Sequence, residues 1–398
     1  MTEPVTLLLF SALGIAAGVA TGLIPGIHPN TVIFTTVPFY LGSGTGLGAY
    51  AVFLSAISVS HTFHDFLPAI FLSSPDAESA LSTINGKSAV QQGKGLESFH
   101  YTVYGALSAV VPVLAVALLS FFFLEGLYSS IESFMEYILV FFLLFVVLDS
   151  DDRPEAFLIA LFSGVLGVLS FEVPVNQNFI FIPLFSGLFA VPAIIRSMEE
   201  SFEIPDQDRP EIDKINAFSG GIFGTAAGFL AGVVPGIGAA VSTAFVSPFM
   251  NDSSGKFMSS MGAVNTTDII FSIFTLQILG NARSGVSVAL QLFSTQVNID
   301  LVILVTLISV PVSALLALKI SGLYTDLLEN ISLSKIFPTI LVILVAISAA
   351  VTGFTGLVVI FTASMIGYAA LETGNRRVCM AVLLVPSILF FSGIGVFI

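Results

Sequence analysis

Two stretches of the chain repeat each other, residues 14–39 (GIAAGVATGLIPGIHPNTVIFTTVPF) and residues 224–249 (GTAAGFLAGVVPGIGAAVSTAFVSPF). Three glycines at four-residue spacing, the Pro-Gly-Ile that follows them and a later Pro-Phe all recur at an offset of 210 residues. A pattern that occurs twice predicts the same structural unit twice. The sequence therefore predicts two related halves.

The boundary between the halves is marked by charge. Residues 197–214, SMEESFEIPDQDRPEIDK, form the most charged stretch of the chain and contain two prolines. Polar, proline-containing stretches of this kind are typical of linkers. We therefore predict a first membrane repeat over residues 1–195, an acidic linker over residues 196–215 and a second membrane repeat over residues 216–398.

The composition identifies the solvent of both halves. Hydrophobic residues make up 56% of the chain and charged residues only 10%, and the mean hydropathy is +1.01. Soluble domains carry about 25% charged residues, so this chain has too few charges to cover a soluble surface. Helices satisfy their own backbone hydrogen bonds in lipid. The sequence predicts an all-α polytopic protein of the cell membrane.

Several functional classes are excluded by the residue inventory. The single cysteine, Cys379, and four histidines argue against a metal cluster. The chain has 12 Lys and Arg residues against 26 Asp and Glu residues, without a basic stripe, so a nucleic-acid partner is not expected. The sequence shows neither a catalytic motif nor a nucleophile–base pair. We therefore expect no enzyme activity, no metal and no cofactor, with a bound Na⁺ left open.

Each half divides into seven hydrophobic segments. In the first half they are residues 5–24, 28–42, 48–72, 99–122, 133–149, 155–170 and 178–195. In the second half they are residues 216–234, 237–250, 258–280, 300–320, 335–352, 354–371 and 378–397. Several are shorter than the ~20 residues that a full span requires, and an odd number of segments inverts the second half relative to the first.

The basic residues predict the orientation. If the loop 73–98 is cytoplasmic, counting crossings places eleven of the twelve Lys and Arg residues in the cytoplasm, with Arg283 near the membrane. Cytoplasmic loops carry an excess of Lys and Arg. The same count places both termini outside and the central linker in the cytoplasm. Inverted-topology repeats with Pro-Gly-interrupted helical hairpins are typical of secondary transporters.

The paired interruptions predict a substrate site. Proline removes a backbone donor and glycine permits unusual dihedral angles, so Pro25-Gly26 and Pro235-Gly236 should break their helices. New helices should begin in the stretches that contain Asn30, Thr31, Ser242 and Thr243. A helix start at membrane depth offers free N–H groups to an anion. The alternative is a purely structural hairpin turn near a membrane surface.

Polar residues within the segments predict ion coupling. Asp65 and Asp268 lie mid-segment, and ionisable groups inside membranes mark ion or proton paths. Aligning these two aspartates with each other makes them repeat mates. His61 and His64 lie three residues apart on one helical face and add a proton-coupling hypothesis. The alternative is a set of buried hydrogen-bond networks without an ion, and the sequence does not choose between Na⁺ and H⁺.

Two more polar residues complete the predicted site. Asn265 precedes two threonines and Asp268, and its amide oxygen could help to bind substrate or Na⁺. Arg283 follows an apolar run, and a guanidinium there could pair with a carboxylate or phosphate. The alternative for Arg283 is a side chain that extends to the membrane interface.

Three stretches resemble a known family. Residues 18–39, GVATGLIPGIHPNTVIFTTVPF, are similar to the amino-terminal signature of the TctA-type large permease subunit of tripartite tricarboxylate transporters. Residues 72–95 and 262–290 resemble the stretches that follow in the two halves of that family, in the same order. Pro75-Asp76 stands where the family has Pro-Gly, and Asn281-Ala282 stands where it has Ile-Pro. The length resembles the short archaeal branch.

The resemblance implies a permease for di- or tricarboxylates that works with a small membrane subunit and an extracytoplasmic binding protein. It carries substrate-lining roles to Pro25, Gly26, Pro235 and Gly236, and further to Asn265 and the loop 280–285. Together with the residue patterns, it predicts a secondary transporter for a small organic anion, coupled to Na⁺ or H⁺ and working by alternating access. Self-association into a homo-oligomer stays open.

Two other functions remain open from the sequence. Polyprenyl-phosphate translocases include members with a Pro-Gly motif in inverted repeats, and a lipid phosphate would suit paired helix N-termini as well as a carboxylate does. A membrane scaffold subunit without transport activity would contain the same packing glycines. A ligand-dependent change at the Pro-Gly hairpins would separate a transporter from a scaffold.

Overall fold

The computed structural model describes residues 4–24, 29, 32–33, 36–37, 40, 46–74, 79, 81–175, 177–199, 204–234, 237–250, 253–329 and 333–394. Within these residues the regular secondary structure is helical, without strands, which confirms the all-α prediction. The helices are α1 (Pro4–Leu23), α2 (Leu47–His64), α3 (Phe66–Phe71), α4 (Ser82–Gln91), α5 (Gly95–Ile131), α6 (Met135–Leu148), α7 (Arg153–Glu172), α8 (Gln177–Phe185), α9 (Val191–Glu199), α10 (Lys214–Val233), α11 (Ala239–Val246), α12 (Ser254–Leu279), α13 (Gly285–Gln291), α14 (Ile299–Glu329), α15 (Leu333–Glu372) and α16 (Ala381–Phe391).

Seven helical stretches among the described residues are long and apolar enough to cross a membrane. They are Pro4–Leu23, Gly95–Leu148, Arg153–Glu172, Phe179–Glu199, Ser254–Leu279, Ile299–Leu328 and Ser334–Glu372. Five of them have half or fewer of the residues in their most apolar part buried, whereas Phe179–Glu199 and Ser254–Leu279 are mostly buried. In α1, for example, the side chains of Val5 and Leu8 are 72% and 71% exposed. Lipid is the solvent that such a surface requires.

The glycines of α1 let it pack closely along α2. A Cβ added at Gly14, Gly18 or Gly22 would lie 3.2, 2.9 or 3.0 Å from the backbone nitrogen of Ile57, His61 or Asp65, respectively. Because both series increase along the chain, α1 and α2 run in parallel. The start of α2 therefore lies at the same end of the pair as the start of α1.

A second helix pair repeats this packing. A Cβ added at Gly224, Gly228 or Gly232 of α10 would lie 3.1, 3.0 or 3.0 Å from the backbone nitrogen of Val264, Asp268 or Ser272 of α12, respectively. This pair also runs in parallel. The first helices of the two pairs, Pro4–Leu23 and Lys214–Val233, have the same length and bounds that differ by the offset of the sequence repeat.

The packing corrects one alignment. The partners of the repeated glycines are 207 residues apart, so His61 corresponds to Asp268, and Asp65 corresponds to Ser272. The alignment of Asp65 with Asp268 is therefore wrong by one helical turn. The same register matches two left-handed residues at the ends of these helices, Ser73 (φ 51°) and Gly280 (φ 70°).

One long helix packs against each of the two pairs. Helix α5 packs against both α10 and α12, and Gly105 and Gly262 let α5 and α12 approach each other closely. Helix α14 packs against α2. Near one end of that contact Tyr50 lies against Phe293, with ring centroids 6.1 Å apart, and near the other Phe71 lies against Tyr324, with centroids 6.2 Å apart.

Two of the long stretches fold back on themselves. The stretch Leu333–Glu372 is broken at Gly353, whose dihedral angles are φ 64° and ψ −152°. A Cβ at Gly356 would lie 2.9 Å from the Ser348 carbonyl oxygen, although eight residues of a straight helix span about 12 Å. Residues 333–352 and 354–372 are therefore two antiparallel helices. The stretch Gly95–Leu148 is interrupted in a comparable place, by a 3₁₀ turn at Glu132–Phe134.

One end of the molecule collects most of the basic side chains, and we call it the basic end. Lys87, Arg196 and Arg376 line one cavity there. Contacts also bring neighbouring segments to the basic end. Gly95 N donates to Gln207 Oε1 (2.8 Å), and Asp213 N donates to the Tyr101 hydroxyl oxygen (3.0 Å). His100 Nε2 lies 3.3 Å from Ser321 Oγ, and the Arg377 guanidinium lies 3.3 Å from the Asp149 carboxylate.

Arg283 lies at the opposite end, which we call the far end. Its Nη2 donates a hydrogen bond of 2.8 Å to the hydroxyl oxygen of Tyr128, near the last turn of α5. Helix α5 begins at Gly95, at the basic end, so about 50 Å of helix separates the two ends at 1.5 Å per residue. The separation of Arg283 from the other basic side chains agrees with the prediction from the crossing count.

Candidate substrate and ion site

Both Pro-Gly motifs lie outside the described residues, and so do Asn30 and Thr31. The predicted roles of Pro25, Gly26, Pro235 and Gly236 therefore stay predictions. The helices on either side end and begin where breaks were expected: α1 ends at Leu23, α10 ends at Val233, and α11 begins at Ala239.

The next predicted residues lie on α11, directly after the second motif. Ser242 and Thr243 are both fully buried. The Ser242 hydroxyl donates to the Ala239 carbonyl oxygen at 3.0 Å, and the Thr243 hydroxyl donates to the same oxygen at 2.8 Å. Each hydroxyl oxygen keeps the capacity to accept a hydrogen bond from a ligand.

His61 sits where α1 and α2 touch. Its side chain is fully buried, and its Nδ1 lies 3.1 Å from the Thr21 hydroxyl of α1. The Thr21 hydroxyl donates in turn to the Gly18 carbonyl oxygen at 3.2 Å. If Thr21 donates its proton to this carbonyl, His61 Nδ1–H is the donor of the contact with Thr21. A hydrogen-bonded chain thus connects the two helices beside the first Pro-Gly motif.

His64 follows one turn later on α2. Its ring is fully buried, and Nδ1 lies 2.7 Å from the Ser60 carbonyl oxygen. A carbonyl oxygen only accepts, so Nδ1 carries the proton and Nε2 presents a lone pair in the neutral ring. Among the described residues, this Nε2 has no hydrogen-bond partner. His64 is therefore available to accept a proton or a donor group.

The two aspartates are placed differently. Asp65 is 2% exposed, and its backbone N–H donates a hydrogen bond to the His61 carbonyl oxygen. Asp268 is half-buried on α12 and accepts a hydrogen bond of 3.3 Å from the Ser272 hydroxyl, one turn further on. Carboxylates at such positions can bind a cation or a proton.

Asn265 carries a buried polar group on α12. It is 2% exposed, and neither its amide nitrogen nor its amide oxygen has a hydrogen-bond partner in the described part of the chain. The hydroxyl of the neighbouring Thr266 is equally buried and also lacks a partner there. Buried polar groups are normally paired, and an unpaired one requires an explanation such as an absent ligand.

The structure brings these groups onto neighbouring helices. Helices α2 and α12 pack against each other, so the histidine-bearing helix contacts the helix of Asn265 and Asp268. Arg283 is not part of this region. Its guanidinium lies over the Tyr128 ring, 5.2 Å from the centroid, at the far end.

Three polar residues near the site were missed from the sequence. Thr21 and Ser272 contact predicted site residues, and Thr275 joins the helices of the second pair through a hydrogen bond of 2.9 Å to the Gly232 carbonyl oxygen. Threonine and serine are common in membrane helices, where they usually bond to their own backbone. The 207-residue register is the signal that would have indicated Ser272, because it pairs this residue with Asp65.

Comparisons with known proteins agree with this architecture. The profile of the family described as "Tripartite tricarboxylate transporter TctA family" matches residues 8–382. An uncharacterized protein of the archaeon Methanocaldococcus jannaschii is 29% identical over 398 residues, which cover 96% of this chain and 98% of that protein. No solved structure matches the chain.

Proposed function

The chain belongs to the tripartite tricarboxylate transporter TctA family, and from this membership we propose that it is a permease for a small organic anion, a di- or tricarboxylate. The family is one of transporters, not of enzymes, and its members work with a small membrane subunit and a binding protein. The seven apolar helical stretches agree with a multi-pass membrane protein.

The observation that carries this proposal is the buried amide of Asn265, which has no hydrogen-bond partner among the described residues. An apolar helix loses stability when it buries an amide without a partner. A substrate oxygen that accepts from this amide would recover the lost hydrogen bond. The site thus consists of Asn265, Thr266 and the hydroxyls of Ser242 and Thr243, together with the two Pro-Gly motifs.

We infer that the two halves form inverted repeats that work by alternating access. The contacts at the two ends of each pair support this. Near its start, α2 contacts Phe293 through Tyr50. Just beyond its end, Phe71 contacts Tyr324, which lies near the end of α14 that contacts His100. Helix α12 begins beside Tyr101 at Gly255 and ends near Arg283, at the far end. The parallel pairs thus traverse the molecule in opposite directions, as in transporters with inverted repeats.

The coupling ion is Na⁺ or H⁺, and each half offers one of the two chemistries. Na⁺ is a hard cation that prefers oxygen ligands, and Asn265 and Asp268 lie three residues apart on one face of α12, where both carry side-chain oxygens. A proton suits the imidazoles of His61 and His64 next to Asp65. We assign ion coupling to these residues and orient the basic end toward the cytoplasm, with both termini outside.

The proposal is tested by uptake of labelled citrate and succinate into proteoliposomes under imposed Na⁺ or H⁺ gradients. Wild type is compared with Asp65→Asn and Asp268→Asn, and Asp300→Asn serves as the control because it removes an exposed carboxylate at the start of α14. We expect gradient-driven uptake that is lost in one of the first two variants and kept in the control.

The gradient identifies the ion, and the variant identifies the half of the protein that binds it. An absence of uptake by folded protein under both gradients would contradict the carboxylate proposal. Polyprenyl phosphate would then be tested as the substrate, and a protein inert toward both would be a scaffold subunit.

A further inference from the structure

A cavity of about 410 Å³ opens at the basic end, away from the site around Asn265. Its described lining includes Lys87, Arg196, Glu372 and Arg376, with Ser73 and Ser88 as neutral polar groups. These ionisable side chains carry three positive charges and one negative charge. The cavity volume is in the range of small-molecule sites, so a small anion is the ligand that this cavity suits.

Arg376 gives the cavity a buried charged group that the protein holds in a fixed position. Its side chain is 6% exposed, and its Nη2 donates a hydrogen bond of 3.0 Å to the Phe189 carbonyl oxygen. This contact fixes the guanidinium in place, while Nε has no hydrogen-bond partner among the described residues. Burial lowers the pKa of Arg376 to about 10, so the group stays charged at pH 7. A buried charge without a full set of partners favours an anion beside it.

Arg196 is held by a partner that a ligand can replace. Its Nη1 lies 3.0 Å from Glu372 Oε1, and the two side chains are 41% and 46% exposed. An exposed ion pair of this kind contributes little to stability. A carboxylate ligand can therefore take the place of Glu372 on the guanidinium, which is suited to binding carboxylates.

The cavity is formed by both halves of the chain. Lys87 on α4 and Ala193 on α9 come from the first half, Arg196 lies where that half meets the linker, and Glu372 and Arg376 come from the second half. Any movement of one half against the other changes the distances between these groups. A ligand that touches both sides would therefore bind one arrangement of the halves better than another.

We propose that this cavity is a second anion site, in which Lys87, Arg196 and Arg376 hold a di- or tricarboxylate at the basic end of the protein. This inference rests on the proposed carboxylate transport for the identity of the ligand. The substrate would bind at this site as it passes between the membrane interior and the solution at the basic end. Glu372 competes with the ligand for the Arg196 guanidinium and pairs with it again when the ligand leaves.

The test is calorimetric titration of the purified full-length protein in zwitterionic nanodiscs with citrate, and with inorganic phosphate as the second probe. We expect Lys87→Gln to weaken citrate binding roughly 10-fold, as the loss of one charge-assisted contact does. Glu372→Gln should tighten binding about 5-fold, because it removes the competitor and one negative charge. Arg376→Lys should weaken binding while keeping the charge.

The matched control is Arg153→Gln, which removes an exposed cation at the same end that does not line the cavity. Equal affinities in wild type, Lys87→Gln and Glu372→Gln would overturn the proposal. An equal loss in Arg153→Gln would also overturn it, since a general field would then explain the effect. A preference for phosphate over citrate would refute the carboxylate assignment.

The titration needs neither a gradient nor turnover, so it is independent of the uptake experiment. Uptake that depends on Asp65 or Asp268, with citrate affinity unchanged in the cavity variants, would refute this site alone. Citrate binding that follows the cavity variants in a protein without uptake would support the site and contradict the transport proposal.

Discussion

His61 and Asp268 occupy the same position in two helix pairs that pack alike. A Cβ at Gly18 would lie 2.9 Å from the His61 nitrogen, and a Cβ at Gly228 would lie 3.0 Å from the Asp268 nitrogen. The glycines contact the backbone nitrogens of His61 and Asp268 and not the side chains of these two residues, so the side chains differ while the packing stays the same.

The first prediction concerns these two glycines. Gly18→Ala would place a methyl group 2.6 Å from the Ile57 carbonyl oxygen, and Gly228→Ala would bring one against Thr267. The added Cβ at Gly228 would also lie 3.0 Å from the Asp268 nitrogen. Because these backbone atoms cannot move aside cheaply, we expect each variant to lose about 1–3 kcal/mol of stability. Thermal unfolding of the purified protein in detergent measures the loss.

Gly126→Ala is the matched control, since an added Cβ would meet nothing within 4 Å in the described structure. This helical glycine should gain roughly 0.5–1 kcal/mol on replacement by alanine. A loss at Gly126 as large as that at Gly18 would contradict the packing argument.

The second prediction separates binding from folding at Asn265. Leucine has the same number of side-chain heavy atoms and the same branching but no polar group, so Asn265→Leu removes a buried amide without breaking a hydrogen bond to the described residues. We expect the stability to stay the same or to rise by about 1–3 kcal/mol, the penalty that an unpaired buried group carries. Uptake of labelled citrate should nevertheless be lost.

Ser120→Ala on α5 serves as the comparison for Asn265→Leu. Ser120 is 1% exposed, and its hydroxyl bonds only to the Ala117 carbonyl oxygen, at 2.6 Å. This variant should keep its uptake. Normal uptake by Asn265→Leu would remove Asn265 from the site.

The third prediction concerns the hairpin at Gly353. With φ 64° and ψ −152°, this residue lies in a region that only glycine enters readily. Gly353→Ala should therefore cost about 1–3 kcal/mol of stability. Gly322→Ala on α14 is the control, since it has an ordinary backbone conformation and open space around it in the described structure. Equal unfolding temperatures for the two variants would contradict the strain argument.

The fourth prediction concerns orientation. The native Cys379 is fully buried, so single cysteines can be introduced at exposed positions after Cys379→Ala. Lys94 and Ser130 lie at opposite ends of α5 and are both exposed. In intact cells, a membrane-impermeant maleimide should label Ser130→Cys and leave Lys94→Cys unmodified. The opposite pattern would reverse the proposed topology.

The glycine and proline pattern predicted the repeat, because glycine lets a second helix approach the backbone closely and proline restricts the backbone directly. Helices α1 and α10 have matching bounds for that reason. The aspartates were aligned wrongly because residue identity was compared without the packing register. In the structure, the register is set by where Gly18 and Gly228 touch the next helix.

Contacts between distant segments could not be predicted in this way. Arg283 and Tyr128 are 155 residues apart, and nothing local to either residue indicates the other. The cavity of Lys87, Arg196 and Arg376 needs three separate turns of the chain to come together. The positive-inside rule predicted that these turns share a side, but it carries no information on their distances.

The length of α5 limits how the protein sits in a bilayer. Its 37 residues span about 55 Å, against a hydrocarbon thickness of about 30 Å. Tilt alone would have to exceed 50°, more than the ~40° that membrane helices reach, so part of α5 stands clear of the hydrocarbon. The turn after it exposes Glu132 and Phe134. Where this extra length lies at the far end, a partner that approaches that end meets the exposed Glu132 and Phe134 before it reaches the lipid surface.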